Sequence, residues 1–225
     1  MFATILVFWG MQTFMTQIET WYFREAMPQV DNAELVNLFI RPLITALTFI
    51  PIATWILKKG EPKENPLQLN LLSKWKTIGL LSVMYVIIYF VFGYYIAWQF
   101  EEVRVFYSGT PVKPGFIDQL LQTIDQKNLI IPFQLLRGLL WVGVGLPLLY
   151  LKGSNAEKIT ASVLLYALPS IQLIIENPFM PEGVRIAHLL EVSSSNALFG
   201  LLIGFGFCFE FFAKQTNSFQ TRDLA

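Results

Sequence analysis

Residues 77–98 read TIGLLSVMYVIIYFVFGYYIAW, a run without one charged side chain. About 20 mainly apolar residues carry a helix across the hydrocarbon layer of a bilayer, so the run predicts a membrane span. Lys74 and Lys76 precede it and Glu101 and Glu102 follow it, so its two ends differ in charge. Outward from this run, residues 2–22, 35–57, 129–151, 158–176 and 184–212 have similar length and character. The expected fold class is all-α: a polytopic membrane helical bundle of about six transmembrane helices. Residues 1–225 then form a single integral membrane domain whose main partner is the lipid bilayer.

Composition agrees. The 225 residues are 54% hydrophobic, 15% aromatic and 14% charged, and the mean hydropathy is +0.51. A soluble domain carries about 25% charged residues because its surface faces water. With 16 Lys+Arg against 16 Asp+Glu, neither a disordered chain nor a basic nucleic-acid binder fits, and no nucleic acid is expected as a partner. Cys208 is the lone cysteine, which excludes an internal disulfide and a thiolate metal cluster. The first apolar run lacks a basic segment before it and a small-residue cleavage site after it, so it reads as a retained span.

Lysine and arginine orient the bundle. Lys58, Lys59, Lys63, Lys74, Lys76, Lys152, Lys158, Lys214 and Arg222 fall in loops or tail on one side, nine of the 16 basic residues. Cytoplasmic loops collect such residues, which places both termini inside, in a membrane read as a prokaryotic plasma (inner) membrane. The opposite side carries 11 of the 16 acidic residues. There, Ile117, Leu120, Leu121 and Ile124 recur at i, i+3, i+4 and i+7 against Asp118, Gln119, Gln122 and Asp125. This predicts a short amphipathic helix in the outer loop between spans three and four, which bounds a pocket, rests on lipid or simply connects. On the inner side Gly60, Pro62, Asn65 and Pro66 mark a turn-rich linker.

A weak repeat runs through the chain. Arg41 precedes Pro51 by ten residues and Arg137 precedes Pro147 by ten, and the preceding helices end in Gln17-Ile18-Glu19 and Gln99-Phe100-Glu101. Spans five and six echo the pattern loosely through Gln172, Glu176 and Arg185, pointing to duplicated hairpins.

Ionisable groups inside a bilayer cost about 2.5–3.5 kcal/mol on insertion scales, so they should face the bundle interior with partners. Arg41 and Arg137 are expected to hold Glu19 and Glu101 ionised, and Arg185 joins them at the same depth with Glu176 and Glu191 nearby. The candidate binding residues are therefore Gln17, Glu19, Arg41, Gln99, Arg137, Arg185, His188 and Glu191. On the sixth span His188, Glu191, Val192, Ser195 and Phe199 share one face, and on the first Gln12, Thr13, Thr16, Glu19 and Thr20 share another. Two polar helix faces should meet, as packing glue or as a hydrated cavity. His188, the only histidine, can shuttle a proton, bind a metal or pair structurally with Glu191.

Enzymatic alternatives rest on Glu101, Glu102, His188 and Glu191 as acid/base or metal residues. Glu101-Glu102 with Arg104 departs from the Glu-Glu-x-x-x-Arg signature of the CAAX-protease-like membrane family. The arginine comes two residues too early, and one histidine cannot satisfy that family's two histidine motifs. No zinc-hydrolase motif, Walker loop, dinucleotide fingerprint or nucleophile elbow occurs, so neither a metal nor a cofactor is expected. Gly200 and Gly204 permit close helix contact, within the chain or with a second helix or copy. The expected function is a polar, ion-paired, outward-facing pocket in a non-enzymatic small-solute or proton-linked transporter, or in a membrane subunit of a complex. The alternative is a membrane-embedded enzyme acting at the outer leaflet.

Overall fold

The computed structural model describes residues 1–57, 74–147 and 153–220, with side chains up to Cys208. Lys58, Lys59, Lys63 and Lys152, the linker turn residues Gly60, Pro62, Asn65 and Pro66, the Lys214 side chain and Arg222 lie outside the described residues. Among the described residues every regular element is helical. Three helices are long and apolar enough to cross a membrane: Asn32–Leu57, Trp75–Gln99 and Glu182–Cys208. A fourth crossing results if Phe116–Gln126 and Ile130–Gly145, bent by 94° to one another, count as one span.

The other two expected spans are helical but divided. Helices α1 (Phe2–Trp9) and α2 (Met15–Tyr22) are joined by a π turn, Gly10–Phe14. At its start Gly10 lets α7 (Ile130–Gly145) come close, because a Cβ there would stand 2.9 Å from the Val144 side chain. Residues 158–176 form the end of a shorter helix and then a tighter 3-10 segment, Leu168–Ile174, whose first turn contains Pro169. Proline has no N–H to continue an α-helix, so the chain leaves α geometry there.

Helix α3 (Asn32–Leu57) lies at the periphery, and only 11% of its most apolar window is buried. Ile5, Ala46 and Ile50 join it to α1, and its other faces expose Ile44, Leu47, Phe49, Ile52 and Trp55. Such a surface would be unstable in water and is suited to lipid. Thr45, Thr48 and Thr54 turn their hydroxyls back to carbonyls of the same helix, so these polar groups are satisfied without water.

The core forms where α4 (Trp75–Tyr95), α7 (Ile130–Gly145), α8 (Asn155–Ala167) and α9 (Glu182–Gln220) meet the first helical segment. Met11, Met15, Tyr85, Trp141, Tyr166 and Phe199 are at its centre. Glycines set the spacing: a Cβ on Gly138 would stand 2.9 Å from the Ser82 backbone, and one on Gly200 would stand 2.8 Å from the Ser162 carbonyl. Gly204 likewise faces Ile159, so the Gly200/Gly204 face is taken by α8 of the same chain. Hydrogen bonds run through this core. Tyr166 donates to the Trp141 carbonyl at 2.6 Å, and Trp141 donates to the Tyr85 hydroxyl at 3.2 Å.

After α4 the chain makes a 3-10 turn, Ala97–Gln99, and enters α5 (Glu101–Ser108). Gly109, at φ 71°, ends α5 in the left-handed conformation that glycine adopts without strain. Buried Arg104 then fastens the loop, donating to the carbonyls of Trp98, Gln99 and Pro111. Helix α6 (Phe116–Gln126) follows and meets α7 at the 94° bend.

Candidate functional site

A cavity of about 960 Å³ lies between the first helical segment, α4, α5, α6, α7 and α9. Its volume falls at the upper end of the range of about 300–1,000 Å³ that holds small organic ligands. Aromatic side chains form much of the wall, and charged groups reach it from separate helices.

Glu19 comes from α2 and Arg137 from α7, and their side chains meet at 2.7 Å. Arg137 also donates to Gln134 Oε1 at 3.0 Å and to the Met15 carbonyl at 3.2 Å. Its guanidinium lies 5.7 Å from the Tyr85 ring centroid, so the charge is held by an ion pair, an amide and an aromatic face together. Gln134 precedes Arg137 by three residues, which puts both on one face of α7.

His188 and Glu191 form the second pair, also three residues apart, on α9. His188 Nδ1 lies 2.9 Å from Glu191 Oε2, and His188 Nε2 lies 3.0 Å from the Tyr107 hydroxyl of α5. Burial pushes the Tyr107 hydroxyl far above its ordinary pKa, and Glu19 and Glu191 push in the same direction. Tyr107 therefore keeps its proton and donates it to Nε2 of the neutral imidazole. Nδ1 then carries the ring proton and donates to the Glu191 carboxylate. This tautomer follows from the network of partners. On protonation Nε2 becomes a donor as well, and Tyr107 must accept where it had donated. The row Tyr107, His188, Glu191 is thus a hydrogen-bonded chain of three side chains facing the cavity.

Glu19, Arg137, His188 and Glu191 are the sequence-derived candidates that the cavity collects. Arg41 is elsewhere. It is exposed on α3, about 140° around the helix from Ala46 and about 180° from Ile50, the residues that pack against α1. Glu101 and Glu102 are exposed in the first turn of α5, where carboxylates complement the positive end of the helix dipole. The expected second pair of a mid-span arginine with Glu101 is not formed among the described residues. Gln17 is outside the cavity, with a buried Oε1 that has no partner among the described residues. Gln99 is exposed, donating to the Tyr94 carbonyl and accepting from Lys113. Arg185 is buried but donates to the carbonyls of Leu173 and Ile174, closing the end of the 3-10 segment.

Sequence reading passed over Tyr107 and Gln134. The i, i+3 spacing of Gln134 and Arg137 was a usable signal, whereas nothing along the chain relates Tyr107 to His188. Helix α6 also belongs to the site. Gln119, Gln122, Thr123 and Gln126 line the cavity, while Ile117 and Leu121 are exposed on its other side. At the rim Lys127 pairs with Glu25, whose carboxyl is held below its ordinary pKa by that hydrogen bond and charge.

No group of three or more His, Cys, Asp and Glu side chains suited to a metal ion converges among the described residues. Compared with protein-family models, curated proteins and solved structures, the chain matches none of them.

Proposed function

We propose that the chain is a multi-pass integral membrane protein that binds a small solute in this cavity and links binding to protonation of the His188–Glu191 pair. It would act as a proton-linked transporter or as the solute-binding membrane subunit of a larger assembly. The carrying observation is that one large cavity receives both the Glu19–Arg137 pair and the Tyr107–His188–Glu191 row. Ionisable side chains within membrane helices are costly, and facing a water-filled cavity is one of the few arrangements that relieves the cost.

In this reading residues 2–22 and 158–176 also lie in the membrane, giving six crossings in a prokaryotic plasma membrane with both termini in the cytoplasm. The cavity opens outward, and α6 lies along the outer surface as its wall. The exposed Ile117 and Leu121 suit contact with the lipid interface. The direct test places one cysteine at residue 196, on the cavity wall, after replacing buried Cys208 with alanine. In proteoliposomes a membrane-impermeant maleimide should modify Asn196→Cys from the outer side alone. An unreactive residue 196 would show that the cavity is closed to solutes and sink the reading.

A second reading, an enzyme acting at the outer leaflet, draws support from that row itself. A hydroxyl within hydrogen-bond reach of an imidazole that a carboxylate orients is an arrangement used to activate a nucleophile. His188 would be the base, Glu191 its positioning residue and Tyr107 the activated group. Glu101 and Glu102 would take no part, being exposed away from the cavity.

A further inference from the structure

We propose that the cavity is built for a hydrophobic organic cation, an ammonium or phosphonium with apolar arms, which competes with a proton on His188 for the charge of Glu191. The proposal rests on the solute-binding reading above and adds the charge class of the solute.

Charge balance is the first support. The ionisable groups lining the cavity are Glu19, Glu25 and Glu191 against Arg137 and Lys127, with His188 able to take either state. Lys127 meets Glu25 at the rim, and Arg137 meets Glu19 inside. Glu191, only 8% exposed, is left with the imidazole as its one ionisable hydrogen-bond partner among the described residues. The polar groups brought around it by other helices are Glu19 from α2, Tyr85 and Tyr89 from α4, Tyr107 from α5 and Arg137 from α7. None adds a positive charge that is not already committed. A carboxylate removed from water needs a counter-charge, so the cavity is balanced only by a proton on His188 or by a cation that enters.

The second support is independent of charge. Asn196 is also only 8% exposed and lines the cavity, yet its side-chain amide has no hydrogen-bond partner among the described residues. It lies about 7.5 Å along α9 from Glu191. Its polar atoms are thus open at the cavity wall, with no internal bond to break before a ligand there is met. The third support is the wall. Tyr89, Tyr94, Trp98, Tyr107 and Trp141 line the cavity, and aromatic rings carry a negative quadrupole that attracts diffuse cations.

The exchange balances. As the cation arrives, the imidazolium gives its Nε2 proton to water, Tyr107 turns its O–H toward Nε2, and Nδ1–H stays on Glu191. No bond to carbon forms or breaks.

The test uses the whole chain in an uncharged detergent and equilibrium dialysis against empty micelles. The probes are radiolabelled tetraphenylphosphonium and tetraphenylborate, of one shape and opposite charge. The protein should retain the phosphonium and not the borate, with retention falling as pH drops from 8 to 5. Glu191→Gln should weaken phosphonium binding about tenfold or more, as loss of a buried charge partner does. Asn196→Leu, which breaks no internal hydrogen bond, should weaken it several-fold, with unfolding midpoints certifying both variants. Borate held as tightly as phosphonium, phosphonium retention indifferent to pH and to both substitutions, or retention of neither ion would each overturn the cation. If residue 196 is still modified by maleimide in those cases, the solute-binding reading survives. If it is not modified, that reading fails too.

Discussion

His188 is the only imidazole in the chain, so its protonation can be read without assignment. With ¹⁵N-histidine incorporated, the protein in micelles should show one neutral ring in the Nδ1–H form at alkaline pH, since Glu191 accepts from Nδ1 and Tyr107 donates to Nε2. Glu191→Ala should erase that preference, and an Nε2–H ring in the unaltered protein would contradict the hydrogen-bonded row. Much at this scale was legible beforehand. The three-residue spacing of His188 and Glu191 on a helix announces their contact, and the cost of a charge in lipid announces that Arg137 has a partner. The same cost argument misplaced Arg41, because an arginine two or three turns inside a helix can lie along the surface and reach water with its long stem. Trp9 and Trp141, too deep for interfacial anchors, find acceptors in the Phe39 carbonyl and the Tyr85 hydroxyl.

Helix contacts in this molecule depend on small residues at particular points, and they can be probed in pairs. Gly138→Ala would drive a methyl into the Ser82 backbone, whereas Gly143 has open space around it. Overpacking of this kind costs about 1–3 kcal/mol, so Gly138→Ala should lower the thermal midpoint in detergent while Gly143→Ala leaves it level or higher. Helix α8 begins at a capping box, in which Ser154 accepts from the Glu157 N–H and Glu157 accepts from the Ser154 N–H. Those bonds hold the Glu157 carboxyl below its ordinary value. The box therefore stabilises α8 above the usual carboxylate range and is lost as pH falls through the lowered value. Protection of amides at the start of α8, taken relative to their intrinsic exchange rate at each pH, should fall in acid for the unaltered chain and stay level in Glu157→Gln. Ser154→Ala should cost about 1 kcal/mol, the usual value of such a cap. The Ser-x-x-Glu spelling was a usable signal for this start, which lies at Asn155 rather than at the expected residue 158. The π turn at Gly10–Phe14 was not readable, since it follows from how closely α7 approaches, and neither was the early end of α8, where Pro169 overrides an apolar run that looks long enough to span.

Across the whole molecule the apolar arithmetic identified a helical protein with surfaces made for lipid, and α3 with its exposed isoleucines carries that inference most plainly. Crossing number was harder, because residue counts register neither a 94° bend nor a divided helix. The repeat linking Arg41 with Arg137 and Glu19 with Glu101 illustrates why. Matching spacings ended in unlike surroundings, one arginine buried in an ion pair and the other exposed, one glutamate in the cavity and the other exposed in the first turn of α5. The polar contact on which the cavity depends joins Glu19 of the first helical segment to Arg137 of α7. A double-mutant cycle on Glu19→Gln and Arg137→Gln, read as thermal unfolding in detergent, measures that contact directly. Each single change should destabilise, because each strands the partner's charge, Glu19→Gln leaving the more deeply buried one, the Arg137 guanidinium. The double variant should recover about 1–3 kcal/mol relative to the sum of the singles, as directly bonded charged partners do. Strict additivity would mean that the two side chains do not meet.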